Sequence, residues 1–284
     1  SHVMAKDTPE SLEDVRLSQA VHGVSVVAIR QNSNGQWQHM TSKNNRRITV
    51  NSPVTFSGPA ANSPLLKNKA NNPTLGTVNN CGAGPTPWGT YVTCEENFNG
   101  CFGSNEPFKP SKPQARYGLS NNDFGYSWFA YDERFDLTNP MYLNESNRFG
   151  WCVEINPFDG KALPVKRTAL GRFKHESVAF MPEKFDKRAV CYMGDDQRGD
   201  YCYKYISDKP WRDHLLYGES PLDHGTLYVA RFDEGVDGND GAGTGEWLEL
   251  SMDNPTLAAA FNSLDEILVN ARVAADLVGA TPMD

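Results

Sequence analysis

VCYMGDDQRGDYCYKYI, residues 190–206, sets two strand-like runs around an acidic turn. Val190–Met193 and Tyr201–Ile206 are β-branched and aromatic, the side chains that suit a pleated, half-buried surface. Gly194-Asp195-Asp196 breaks the first run, and neither run is long enough for an ordinary helix. The same rhythm recurs outward in both directions. Upstream it predicts strands at Gly89–Thr93, Trp151–Ile155, Lys166–Ala169 and Val178–Met181. Downstream it predicts them at Thr226–Arg231 and Trp247–Leu250. Val21–Arg30 reads as a further strand, joined to Gln36–Met40 by an Asn-Ser-Asn-Gly turn, a hairpin signature. The expected fold class is all-β, and the strand–loop–strand rhythm suits a β-propeller although no strict repeat is present. One helix is expected near the end, with a Ser263/Glu266 capping box, an apolar face from Ile267 to Val278 and a stop at Gly279. A shorter helix is expected at residues 255–261.

Composition agrees with many short strands joined by turns. The 284 residues include 24 Gly, 18 Pro and 31 aromatic side chains (14 Phe, 11 Tyr, 6 Trp). The length allows one large domain, read here as residues 5–284, with Ser1–Met4 resembling the scar of a cleaved tag. A net charge of −8 argues against nucleic acid or an anionic membrane as partner, since phosphate backbones select basic surfaces. No apolar run reaches the length of a membrane helix. Long loops at residues 51–80 and 98–125 exceed ordinary connections, so they are expected to be functional or poorly ordered. The six cysteines form no C-x-x-C pair, and Cys152, Cys191 and Cys202 lie in strand-like contexts that suit buried free thiols.

Three segments could carry chemistry. Cys94-Glu95-Glu96-Asn97 ends the strand inside NNCGAGPTPWGTYVTCEENFNG (79–100). A thiol beside two carboxylates is electrostatically costly unless a cation is present, because neighbouring anions raise one another's pKa; a solvated turn after a buried Cys is the plainer alternative. His175-Glu176 precedes a strand, where Glu176 could be a ligand while His175 projects the other way. Asp195 and Asp196 suit a hard cation such as calcium, or an exposed turn. The DGNDG turn at 237–241 lacks the glutamate of a calcium loop. Arg46, Arg47, Arg172 and Arg198 lie nearest the acidic loops and could clamp a phosphate or pair with a carboxylate. Serine-hydrolase, P-loop, zincin and Rossmann signatures are absent.

Taken together, NNRRITVNSPVTFSGPAANSPLL (44–66), GTVNNCGAGPTPWGTYVTCEENFNG (76–100), RFGWCVEINPFDGKALPVKRTALGRFKHESVAF (148–180), YMGDDQRGDYCYKYIS (192–207) and DEILVNARVAADLVGATPMD (265–284) resemble the PhoX family of bacterial alkaline phosphatases. That resemblance implies a six-bladed propeller, export to the periplasm through the twin-arginine route, and an Fe3+ and Ca2+ cofactor. It also implies hydrolysis of small-molecule phosphate esters in phosphate acquisition. It assigns ferric iron to Cys94 and Glu176 as catalytic ligands, with Glu95, Asp195 and Asp196 as further metal ligands. Such a cluster would activate an oxygen nucleophile and stabilise the phosphoryl transition state, so no protein nucleophile is needed.

The family pattern continues past Asp284 into an Arg-Pro-Glu motif and includes an Asn-His-Glu motif before the first strand. Neither is in this sequence. The expectation is therefore a central stretch with an incomplete ring, an incomplete metal shell, little activity alone and edges open to self-association. Two rival readings remain: a calcium-binding propeller module without catalysis, and a calcium-dependent lactonase. The latter's site has no cysteine ligand, which makes Cys94 the discriminating residue.

Overall fold

The computed structural model describes residues 9–182, 187–234 and 242–283, so the 237–241 turn lies outside the described residues. The chain opens with helix α1 (Leu12–Val21), where Ser11 Oγ accepts from Asp14 N. Two small pairs follow. Strand β1 (Val24–Val26) pairs antiparallel with β4 (Arg46–Ile48), and β2 (Ala28–Gln31) forms a hairpin with β3 (Trp37–Met40). The hairpin was expected. The start of the Val21–Arg30 run was not, because Val21 closes α1 and Gly23, at φ +104°, turns the chain before β1.

Two five-stranded sheets build the body of the fold. The first contains β5 (Thr55–Ser57), β6 (Asn80–Pro85), β7 (Tyr91–Glu95), β8 (Cys152–Ile155) and β9 (Val165–Arg167), ordered β5-β9-β8-β7-β6. All its neighbours are antiparallel except β5 and β9. The second contains β10 (His175–Phe180), β11 (Arg188–Asp195), β12 (Cys202–Pro210), β13 (Gly225–Glu234) and β14 (Gly243–Glu249), an antiparallel meander in chain order. The 190–206 stretch is thus the β11–β12 hairpin at its centre.

The sheets meet where β6 lies against β10, and glycine makes that approach possible. A Cβ on Gly84 would stand 2.3 Å from the Val178 carbonyl oxygen, and one on Gly82 would stand 2.5 Å from that of Glu176. Trp151, Phe173, Cys191, Met193, Tyr203 and Leu268 fill the core that this packing creates. A second core joins Val50, Phe98, Phe102, Tyr117, Trp128, Phe135 and Phe149. The residues of the long 98–125 loop that enter it are buried and packed, so that loop brings its own apolar anchors.

Short helices α2 (Lys112–Arg116) and α3 (Trp211–Leu216) interrupt the strands, and α4 (Pro255–Ala260) matches the short helix expected there. The single terminal helix is two, α5 (Leu264–Val269) and α6 (Ala271–Val278), broken at Asn270 with φ −114° and ψ 38°. Ser263 makes no capping hydrogen bond. Glu266 instead accepts from the Asn262 backbone N–H at 2.9 Å. Gly279, at φ +74°, ends α6 as expected. Among the described residues, no helix is long and apolar enough to cross a membrane.

Candidate metal centre

Two β-bulges face each other across the β6–β10 contact, and each carries a chemically capable residue. On β6, Asn80 opposes Glu95 and Ala83 opposes Thr93, so Cys81 and Gly82 together oppose only Cys94. On β10, His175 opposes Asp195 and Ser177 opposes Gly194, leaving Glu176 as the extra residue. A bulge releases a side chain from the strict alternation of the strand and re-aims it. Cys81 and Glu176 are both solvent-exposed as a result.

Two strand ends complete the cluster. Glu96 follows β7, its N–H donating to Asn79 O at 3.2 Å. Asp196 follows β11, its N–H donating to Lys174 O at 3.0 Å. The Glu96 carboxylate accepts from the Asn97 side-chain amide, and Cys81, Asp196 and Glu176 lie close enough to bear on its protonation. Partial burial, then the Glu96 contact and the Glu176 charge, push the Cys81 thiol up to about 11. Burial raises the Glu96 carboxyl too, followed by its contact with Asp196 and the charges of Asp196 and Glu176. The Cys81 contact favours the Glu96 carboxylate, but the neighbouring acids oppose one another's ionisation, the conflict that a bound cation relieves. Among the described residues, no three His, Cys, Asp or Glu side chains already converge tightly enough to hold an ion.

The other sequence candidates lie inside the core. Cys94 is fully buried, its Sγ 3.9 Å from that of its cross-strand neighbour Cys152. Cys152 Sγ in turn lies 3.3 Å from His175 Nδ1 and 3.9 Å from Met193 Sδ. This is a soft, apolar pocket, and burial holds the Cys152 and Cys191 thiols well above their ordinary range. Glu95 is also fully buried. Its carboxylate accepts from Lys166 Nζ at 2.8 and 3.1 Å and from the N–H groups of Gly150 and Trp151 at 2.9 and 3.1 Å. Three donor groups thus engage it through four contacts. Asp195, buried, receives both edges of the Arg272 guanidinium and the Lys174 N–H.

Glu176 and Asp196 are therefore brought together, while Cys94, Glu95 and Asp195 turn away, and Cys81 and Glu96 are added. His175 does project opposite to Glu176: it is buried, stacked on Phe173 at 3.6 Å, with Nε2 3.0 Å from Gly171 O. Burial drops its pKa to about 3, so it is a neutral packing residue. Of the four arginines considered, Arg46, Arg47 and Arg172 donate to backbone carbonyls. Arg198 is exposed in the loop after Asp196.

A family model described as alkaline phosphatase PhoX matches residues 2–284. The chain belongs to the PhoX family. Among solved structures, Pseudomonas fluorescens PhoX in complex with vanadate, a transition state analogue, is 47% identical with a TM-score of 0.87. The similarity covers 98% of this chain and 49% of that one, so the chain spans about half the length of that PhoX structure. No curated protein matches the chain.

The donor set fits the metals that the sequence resemblance implies. A thiolate is a soft donor that iron accepts, and carboxylates suit both ferric iron and calcium. Cys81, Glu96, Glu176 and Asp196 supply that mixture at one surface, whereas the buried surroundings of Cys94 supply sulfur without an accessible carboxylate.

Proposed function

We propose that this chain contributes the iron- and calcium-binding face of a phosphatase that hydrolyses small-molecule phosphate esters. The observation that carries the reading is the exposed Cys81 thiol, delivered by a β-bulge beside the end of β7 that carries Glu96, with Glu176 on the facing bulge of β10 and Asp196 at the end of β11. Membership of the PhoX family and likeness to a PhoX structure holding a transition-state analogue support it.

When bound, such ions supply Lewis acidity at phosphoryl oxygens and lower the cost of generating an oxygen nucleophile. The chain's own residues prepare for this. Cys81 offers the soft donor; Glu96, Glu176 and Asp196 offer hard ones. Glu176 and Asp196, being exposed, can turn inward without disturbing the core. Gly82 lets Glu176 and Ser177 of β10 approach β6 directly beside Cys81. The β6–β9 meander of the first sheet and the β10–β14 meander of the second, packed through β6 and β10, support a propeller reading in which each sheet is a blade. Export to the periplasm through the twin-arginine route belongs to the same proposal.

Elemental analysis tests it. The wild-type chain and the Cys94→Ser variant should carry iron and calcium, and Cys81→Ser should lose the iron. Loss in Cys94→Ser with retention in Cys81→Ser would return the ligand to Cys94. In an enzyme reconstituted with metals, turnover of p-nitrophenyl phosphate should fall in parallel with iron content.

A further inference from the structure

We propose that Arg272 is a positioning residue for the metal centre, acting through the loop that carries Asp196. This rests on the metal-binding reading above and goes beyond it, because Arg272 is 77 positions from Asp195 in sequence and belongs to a helix.

Arg272 is fully buried near the start of α6. Nε donates to Asp195 Oδ2 at 2.6 Å and Nη2 to Asp195 Oδ1, a bidentate pair. Nη2 also lies 3.2 Å from Asp200 Oδ2. Nη1 donates to Gln197 Oε1 at 3.2 Å and to Arg116 O at 3.3 Å. One guanidinium thus holds Asp195, the last residue of β11, and residues 197 and 200 of the six-residue loop that follows. Asp196 is the residue between the first two, and it is exposed where Asp195 is buried.

Other contacts brace the same loop. Gln197 N donates to Asp195 O at 2.9 Å, and Lys174 Nζ donates to Gln197 Oε1 at 2.9 Å. Met283 exchanges backbone hydrogen bonds at 2.8 Å with Gly199 and Asp200. A guanidinium is suited to this task because its planar fork fixes direction as well as charge. Asp195 is then the counter-ion that anchors the loop, which accounts for a carboxylate next to the site that is turned into the core.

The test is a double-mutant cycle read by calcium titration of the metal-stripped chain: wild type, Arg272→Lys, Asp196→Asn and the double variant. Lysine keeps the buried charge and removes the fork. Arg272→Lys should weaken calcium binding about tenfold or more, in line with loss of an outer partner of a metal ligand. The same change in the Asp196→Asn background should cost nothing further. A full tenfold loss in that background would overturn the proposal, since the arginine would then act on the fold at large. Unchanged affinity in Arg272→Lys would overturn it too. If circular dichroism shows Arg272→Lys unfolded, the exposed Gln197→Ala enters the same cycle. There, weakening confined to the Asp196 background sustains the proposal and its absence sinks it. A wild type that binds neither calcium nor iron would instead overturn the metal reading, and this assignment with it.

Discussion

At the scale of single residues, what surrounds each carboxylate separates acids engaged by several protein donors from acids left near one another. Glu95 and Glu96 are neighbours in sequence, yet Glu95 is engaged by Lys166 and two backbone N–H groups while Glu96 accepts from the Asn97 amide and feels the charges of Asp196 and Glu176. Sequence could name the tripeptide but not divide it. Val92 through Glu95 are all buried, so β7 has no wet face from which parity could be read. Cys81 was passed over for a related reason: its exposure comes from a bulge, and a bulge leaves little trace beyond the glycines at 82 and 84. The Glu95–Lys166 pair yields a direct prediction. Lys166→Met leaves a buried carboxylate without its counter-ion, which costs about 3–5 kcal/mol. Urea denaturation of the folded chain should show that loss. A change under about 1 kcal/mol would mean that the two N–H groups alone stabilise the anion.

At the scale of elements, strands with β-branched and aromatic runs were legible: the β11–β12 hairpin, β8, β13 and β14 all lie where the pattern placed them, within a few residues. Strand β6 was not, because NCGAGP has almost no β propensity. Its place is fixed by packing rather than preference, as the lack of room for a side chain at Gly84 indicates, where a Cβ would stand 2.3 Å from Val178 O. Helix α1 was hidden by the apolar run that follows it, although Ser11 and Asp14 carry a capping signal. Close packing at β6 sets a further expectation. Gly84→Ala should destabilise the chain by about 1–3 kcal/mol through overpacking against Val178. Gly82→Ala pushes instead on Glu176, so it should weaken iron and calcium binding more than Gly84→Ala does. Denaturation and metal titration of the two variants separate these effects. Equal loss of metal in both would place the cause in the sheet contact as a whole and not in the aim of Glu176.

At the scale of the molecule, electrostatics ties distant segments to the loop beneath the site. Arg116, on α2, donates from Nε and Nη2 to Asp276 of α6 at 2.8 and 2.9 Å, and Nη2 also pairs with Asp200. Tyr201 adds its hydroxyl to Asp276 at 2.7 Å. None of these long-range partners, 75 to 160 positions apart, could be paired from sequence, because each looks like ordinary surface charge until the chain closes. Burial by itself would raise the Asp276 carboxyl, but the bonds from Arg116 and Tyr201 outweigh it and the net shift is downward from 3.8. The sign follows. A carboxylate lowered on folding binds its proton less tightly in the folded state, so it adds stability above its unfolded value and loses it as pH falls through the folded one. The melting temperature of wild type should therefore exceed that of Asp276→Asn near neutrality, and the gap should close below about pH 4. The partly exposed position of Asp276 adds a second signature, since salt screens such a pair: raising ionic strength at neutral pH should narrow the same gap. A difference that persists unchanged at pH 3 and in high salt would show that the side chain acts by packing and hydrogen bonding. In that case Arg116 would be held to α6 without help from charge, and the stability of the loop beneath Asp196 would not depend on pH through this contact.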